Sequence, residues 1–240
     1  IDTVRTLLVI VYAALSKPLS KPFRRPDITK PPNPKAPKHT ATQNLNIIYD
    51  KNLTRGMTLR RNPATGWLES YQPEVGDGTF VDPAAVVIGK VEVGKNCYIG
   101  PTAVLRGDEG EIRIGNACNI QDGVIIHALK GSSVDVHDDV SLAHGCVIHG
   151  PAEIGSNSFV GFRSVILRAR IGENCFIGHG CIIIGVEIPD GKLVEDGMII
   201  KNQKDVEKLS DVGEEQKEFV REVREVNLEF ARAYSSLHSR

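Results

Sequence analysis

Between Val81 and Ile183 a branched apolar residue returns every six positions, and that period constrains the fold more than any other feature of the chain. The series runs Val81, Val87, Val93, Ile99 and Leu105. It resumes after three extra residues at Ile114, Ile120 and Ile126, and after four more at Val136, Leu142, Ile148, Ile154, Val160 and Ile166. One residue is then dropped before Ile171, Ile177 and Ile183. Random alternation does not hold phase over such a length, whereas a solenoid of short parallel strands does, one six-residue face at a time. Three faces make a triangular coil of about 18 residues, so the run from 81 to about 188 predicts about six coils. An aromatic content of only 5%, beside 23 glycines, suits short strands with tight corners.

The pattern resembles the left-handed parallel β-helix of the hexapeptide-repeat proteins. The hand is implied by that resemblance, since the general crossover rule gives the opposite one. The fold class expected is therefore an all-β solenoid with a C-terminal α-helix packed alongside. The β-helix is placed at 59–200, with the sixfold phase giving way after Ile188-Pro189-Asp190-Gly191, and the helical tail at 201–240. Within that tail a helix is expected from about Glu214 to Tyr234, because Phe219, Val223, Val226, Phe230 and Ala233 step by four and three. Such a stripe is expected to pack on the β-helix or on a neighbouring subunit.

The repeat register also accounts for the cysteines. Counting the branched residue as position i, Cys97, Cys118, Cys146, Cys175 and Cys181 all fall at i+4, in a column otherwise filled by small residues such as Ala85, Ala103, Ser158 and Ser164. No Cys-x-x-Cys pair occurs, and these thiols are expected to pack as small apolar side chains at a corner.

Upstream, residues 1–16 hold the apolar run Leu7 to Leu15, whose length matches the central region of a secretory signal. It reads as a possible signal or anchor, the other reading being a short helix packed on the domain. Location is correspondingly open between cytoplasmic and exported or anchored through residues 7–15. Residues 17–58 form a Pro-rich basic linker and irregular segment, with seven of the 13 prolines between 17 and 38. Met57 is a possible start for a shorter product. Membrane contact is expected, if at all, through the N-terminal segment. The balance of 29 Lys+Arg against 30 Asp+Glu gives no sign of a nucleic-acid partner.

The register then singles out histidines. His127 and His149 each follow the branched residue, at i+1, and are 22 residues apart, one coil plus the four-residue insertion. They should stack in one outward column about 5 Å apart. Arg106 occupies the same column one coil earlier. His144 sits at i+2 on the preceding face, around a corner. Two imidazoles hold a metal weakly, and a catalytic zinc takes three protein ligands and one open position. The geometry therefore suggests assembly about a threefold axis, with the neighbour supplying His144. His137 reads as surface, and His39, His179 and His238 have no convergent partner that the sequence identifies.

Three segments carry a more specific resemblance: Arg106-Gly-Asp108-Glu109-Gly, Asn119-Ile-Gln121-Asp122-Gly123-Val-Ile-Ile-His127, and Ser141-Leu-Ala-His144-Gly-Cys-Val-Ile-His149-Gly-Pro151. Together they are similar to the successive motifs of gamma-class carbonic anhydrases, over about residues 59–236. The resemblance implies a homotrimeric enzyme, a metal-dependent lyase that interconverts CO2 and bicarbonate at a three-histidine site shared between subunits. It implies a metal held by His127 and His149 of one subunit and His144 of the next, Zn2+ with Fe2+ or Co2+ as alternatives. It gives Gln121 and Glu109 roles in orienting water and bicarbonate, makes Arg106 and Asp108 an interface ion pair, and places Asn227 as an active-site asparagine. Glu109 is also positioned to act as general base. After His127 stands the short turn Ala128-Leu129-Lys130-Gly131-Ser132-Ser133, where some relatives carry a long acidic proton-shuttle loop, so the chain resembles the subclass lacking that loop. Two other readings remain: a structural member of the family with weak or no activity, and a hexapeptide-repeat acyltransferase.

Overall fold

The computed structural model describes residues 58–238, and the expectations for residues 1–16, for Met57 and for His39 fall outside that range. From Leu59 to Ile200 the chain winds as a left-handed parallel β-helix of about seven turns, closed on one side by a C-terminal helix. Each branched residue of the sixfold series points inward. Val87, Leu105, Ile126, Ile148, Ile166, Ile183 and Ile200 stack on one face with almost no exposure. Ile99, Ile120, Leu142, Val160, Ile177 and Val194 stack on the next. Ile114, Val136, Ile154, Ile171 and Ile188 fill the third. Identical inward residues from successive turns therefore make one continuous apolar column per face, with no large ring needed inside the prism.

The coil continues past Ile188, where the sequence phase was expected to end. Leu193–Val194 and Ile199–Ile200 pair with the turn before them. The reason is a second turn of 17 residues: Ile188 follows Ile183 by five, after which Val194 and Ile200 restore the spacing of six. The helix α1, Gln203–Val206, then begins under an Asn202 cap that accepts the Asp205 N–H and buries Val206 and Leu209 against the core.

Two of the three corners follow one rule. The residue at i+3 takes a positive φ, as in Asn96 (57°) and Gly145 (70°), a region that glycine and asparagine enter most readily. The small residue at i+4 turns inward. All five cysteines sit there, free and buried, and the sulfurs of Cys97, Cys118, Cys175 and Cys181 face backbone oxygens, Cys118 Sγ lying 2.9 Å from the His137 carbonyl.

The outer surfaces of the three faces differ in chemistry. One carries a charged ladder in which Arg113 joins Glu111 and Asp135 at 2.9 and 2.6 Å, and Arg170 joins Glu153 and Glu187 at 3.1 and 2.6 Å. His137 belongs to this surface, 3.2 Å from Glu153. The second is covered by the long helix α2, Glu214–His238. The third presents Val86, Val104, Ile125, Val147, Val165, Ile182 and Ile199 as one outward aliphatic column, with Ile125 and Ile199 about half exposed.

Helix α2 meets the β-helix on a face rotated from the expected stripe. Val220, Asn227 and Ala231 are buried at the contact, with Ala143 and Phe159 beneath Val220. Phe219, Val226 and Phe230 remain partly exposed, as does Tyr234, and Ala233 is also exposed. Small side chains occupy the centre because the helix lies close on a flat sheet. The large rings flank it, Phe219 edge-on to Phe159 at 5.4 Å and Tyr234 over Phe80 at 5.0 Å. Arg224 ties the helix to the corner residue Asp139 at 2.9 Å. Among the described residues no helix is long and apolar enough to cross a membrane.

Candidate metal centre

The aliphatic face also carries the histidine column. His127 pairs directly with His149 across adjacent strands, and Arg106 pairs with His127 on the turn before. Strand pairing brings the two rings to 5.1 Å between centroids, edge to face, with His127 Nδ1 3.2 Å from His149 Nε2. The other nitrogen of each ring, His127 Nε2 and His149 Nδ1, is buried without a hydrogen-bond partner. An unpartnered buried polar atom is costly, and each of these two rings carries one. Burial, followed by the nearby Arg106 guanidinium, lowers the His127 pKa and favours neutral imidazole, the form that donates a lone pair to a metal.

Acidic groups approach from the three-residue insertion. The strand Val104–Ile114 widens there, its register against Val86–Val93 shifting between Gly89 and Val91. This bulge carries Asp108 and Glu109 over the histidines, with Asp108 Oδ1 3.6 Å and Glu109 Oε1 3.7 Å from His127 Nε2. Arg106 pairs with Asp108 of its own chain through both Nε and a terminal nitrogen, at 3.1–3.3 Å. Arg106, Asp108, Glu109, His127 and His149 thus form one cluster.

His144, Gln121 and Asn227 form another. His144 stands at an exposed corner on the helix-covered side, and its Nδ1 lies 2.8 Å from Asp122 Oδ1. The backbone N–H of His144 donates to Gln121 Oε1 at 3.2 Å, which leaves the Gln121 amide nitrogen to donate elsewhere. Asn227 of α2 donates from Nδ2 to the Val223 carbonyl at 2.6 Å, so its oxygen is left to accept. These side chains line an open cavity of about 380 Å³ with Tyr98, Asp122 and Val226. Nearby Asn119 is buried with neither amide atom hydrogen-bonded.

The chain does not bring the two clusters together. Among the described residues, no three His, Cys, Asp or Glu side chains converge as a metal site. Two residues whose roles the motifs alone do not reveal have clear ones in the geometry. Asp122, at i+2 one turn before His144, orients its ring, and His179, at i+2 two turns after His144, stacks on Phe162. The shared i+2 register was the signal that could have found both. Lys130, in the short turn after His127, lies 4.9 Å above the Trp67 ring.

Two family models match parts of the coil: the six-repeat bacterial transferase hexapeptide over residues 73–107, and the hexapeptide repeat of succinyl-transferase over 168–201. A solved hexapeptide transferase family protein from Anaplasma phagocytophilum superposes with a TM-score of 0.59 at 26% identity, covering 68% of this chain and 93% of that one. Over 188 residues the chain is 32% identical to a carbonic anhydrase of Methanosarcina thermophila, covering 70% of this chain and 76% of the relative. The chain belongs to the gamma carbonic anhydrase-like family of hexapeptide-repeat proteins. Within this family it is also 39% identical over 177 residues to the carboxysome assembly protein CcmM of a Nostoc strain. That alignment takes in 69% of this chain but only 32% of the length of the Nostoc protein.

Proposed function

We propose that the protein is a carbonic anhydrase whose metal site is assembled between copies of the chain in a homotrimer. The observation that carries this reading is the stacked pair His127 and His149, touching at 3.2 Å with two buried ring nitrogens left unpartnered. A divalent cation supplies partners to such nitrogens, and the donor set of neutral imidazoles suits Zn2+ or Fe2+. His144 would complete the set from a neighbouring copy. Its Nδ1 is engaged by Asp122, so Nε2 is the nitrogen free to coordinate. When bound, the metal supplies Lewis-acid activation of water.

The remaining work falls to the chain's own side chains. Asp108 and Glu109 lie within 3.7 Å of His127 Nε2, and Glu109 is the carboxylate in place to take up the proton released as CO2 becomes bicarbonate. Gln121 donates from its amide nitrogen to an oxygen of water or bicarbonate, and Asn227 accepts through its amide oxygen. The pair of Arg106 with Asp108 keeps the second carboxylate from competing as a base. The Ala128–Ser133 turn carries no acidic residue, so proton export runs through Glu109 and solvent, as expected of the subclass without the shuttle loop.

The trimer is supported by the aliphatic column Val86 to Ile199, which among the described residues is the one face with neither a charged ladder nor a helix over it. Such a surface favours contact with another protein surface, and it flanks the two histidines that need a third. A scaffold with weak activity is favoured by the likeness to CcmM, and an acyltransferase by the hexapeptide transferase matches. Stopped-flow CO2 hydration, with metal content and mass measured on the same sample, separates them. The proposal requires activity in a trimer holding about one metal per chain. An inactive metal-bearing trimer supports the scaffold, and a chain inactive after reconstitution with zinc and iron supports the transferase.

A further inference from the structure

We infer that Phe162 is a positioning residue for His144, a flat brace that sets the plane of the imidazole that a divalent cation would need. The inference rests on the three-histidine reading above. Its basis is a ladder on the helix-covered side of the prism. Asp122, His144, Phe162, His179 and Asp196 all stand at i+2 on successive turns, after Ile120, Leu142, Val160, Ile177 and Val194.

Turns of a parallel coil are about 4.8 Å apart, close to the stacking distance of planar rings. The ladder uses that match. The Phe162 ring covers one face of His144 at 5.1 Å between centroids and 27° between planes. Its other face lies on His179 at 4.3 Å and 17°. His179 is itself fixed, its ring Nδ1 accepting the Phe162 backbone N–H at 3.0 Å while its backbone N–H donates to Asp196 Oδ1 at 2.7 Å.

His144 needs such support because its corner is exposed, with half of its side chain open to solvent. Asp122 holds Nδ1 by one hydrogen bond, which leaves the ring free to swing about that contact. Stacking removes the swing. Phe162 is 41% exposed, so filling the core does not explain a large ring at this position. A ligand shared between subunits has to be presented ready-made, since its partner histidines belong to another chain. Bracing by stacking supplies that presentation without adding a competing donor.

The test compares Phe162→Leu with Phe162→Tyr in the full chain. Leucine keeps apolar bulk and loses the flat face, whereas tyrosine keeps the ring. The dissociation constant for Zn2+ is measured by competition with a chromophoric chelator, the visible spectrum is recorded with Co2+, and light scattering gives the mass of each sample. The expected result is zinc binding weaker by about tenfold or more in Phe162→Leu, the size of other losses of ligand support, with an altered Co2+ spectrum and unchanged mass. Phe162→Tyr should match the unsubstituted protein in both readouts. Equal zinc affinity in Phe162→Leu and the unsubstituted protein would overturn the inference. So would equal weakening in both variants, or weakening that follows loss of assembly. An unsubstituted protein that takes up neither Zn2+ nor Co2+ overturns the three-histidine reading itself, and this inference with it.

Discussion

Replacing Gly155 by alanine tests whether close stacking of turns, rather than glycine flexibility, holds the solenoid together. A Cβ at Gly155 would fall 2.5 Å from the carbonyl carbon of Gly172 and 2.6 Å from the Glu173 nitrogen on the next turn. Both are backbone atoms and neither can rotate away. Restoring an ordinary 3.4 Å contact requires the two turns to part by about 0.9 Å at this corner. The Gly155 N–H to Ile171 and Asn174 N–H to Ser156 bonds, at 2.8 and 2.9 Å, span the gap and would stretch beyond hydrogen-bonding range. At about 1–3 kcal/mol for each bond lost, the substitution should cost about 2–6 kcal/mol. For a domain of this size the midpoint of thermal unfolding should fall by about 5–20 °C, read by circular dichroism or calorimetry. Gly66→Ala is the control, since a Cβ there meets nothing within 4 Å and should leave the midpoint unchanged. A shift in Gly155→Ala no larger than the control's would mean that the turns can part at this corner without loss of stability.

Glu109→Ala should lower CO2-hydration turnover much more than zinc content, and equal losses in both would remove the proton-accepting role. For Glu111, burial alone would raise the carboxyl pKa, but Lys90 and Arg113 outweigh it and the net shift is downward. A carboxylate with a depressed folded pKa contributes stability above its unfolded value, near 4.5, that is lost as pH falls below it. Urea melts between pH 6 and 3 should therefore show a shallower loss of stability in Glu111→Gln, and identical slopes would contradict the assignment. Burial pushes the Cys146 thiol up to about 12, so it should resist alkylation at pH 8 until denaturant is added. Rapid native alkylation of Cys146 would show that the corner opens.

The inward columns were legible because each face repeats one residue type at one spacing, and insertions of three and four residues left the phase readable on either side. The alignment of Arg106, His127 and His149 followed from the same count. The end of the coil was less legible. A second dropped residue before Ile188 looks, in the linear text, like the loss of the period, and only pairing with the next turn shows that it continues. Val223, Phe219 and Phe230 of the expected stripe do meet the β-helix, but the centre of the α2 contact lies to one side of them, for a different reason. Periodicity identifies the apolar side of a helix, but a flat sheet at close range selects Val220, Asn227 and Ala231 for the centre and leaves the larger rings at the edges. For the site, the separation of His144 from the His127 and His149 pair was readable from register. Orientation was not, because hydrogen bonds such as that of Asp122 to His144 depend on rotamers that spacing does not fix.

If each site draws His127 and His149 from one chain and His144 from another, two inactive variants should complement each other in mixed trimers. His144→Ala and His149→Ala would be purified separately, unfolded, mixed in equal amounts and refolded, with CO2 hydration and bound zinc measured before and after mixing. Each variant alone should have neither activity nor full zinc content. Random reassembly into closed trimers should restore about a quarter of the sites, because a site forms only where a His144→Ala chain meets a His149→Ala neighbour in the right order. Recovery near that fraction is expected in both readouts. No recovery in either, from mixtures shown to contain mixed trimers, would contradict a site shared between chains.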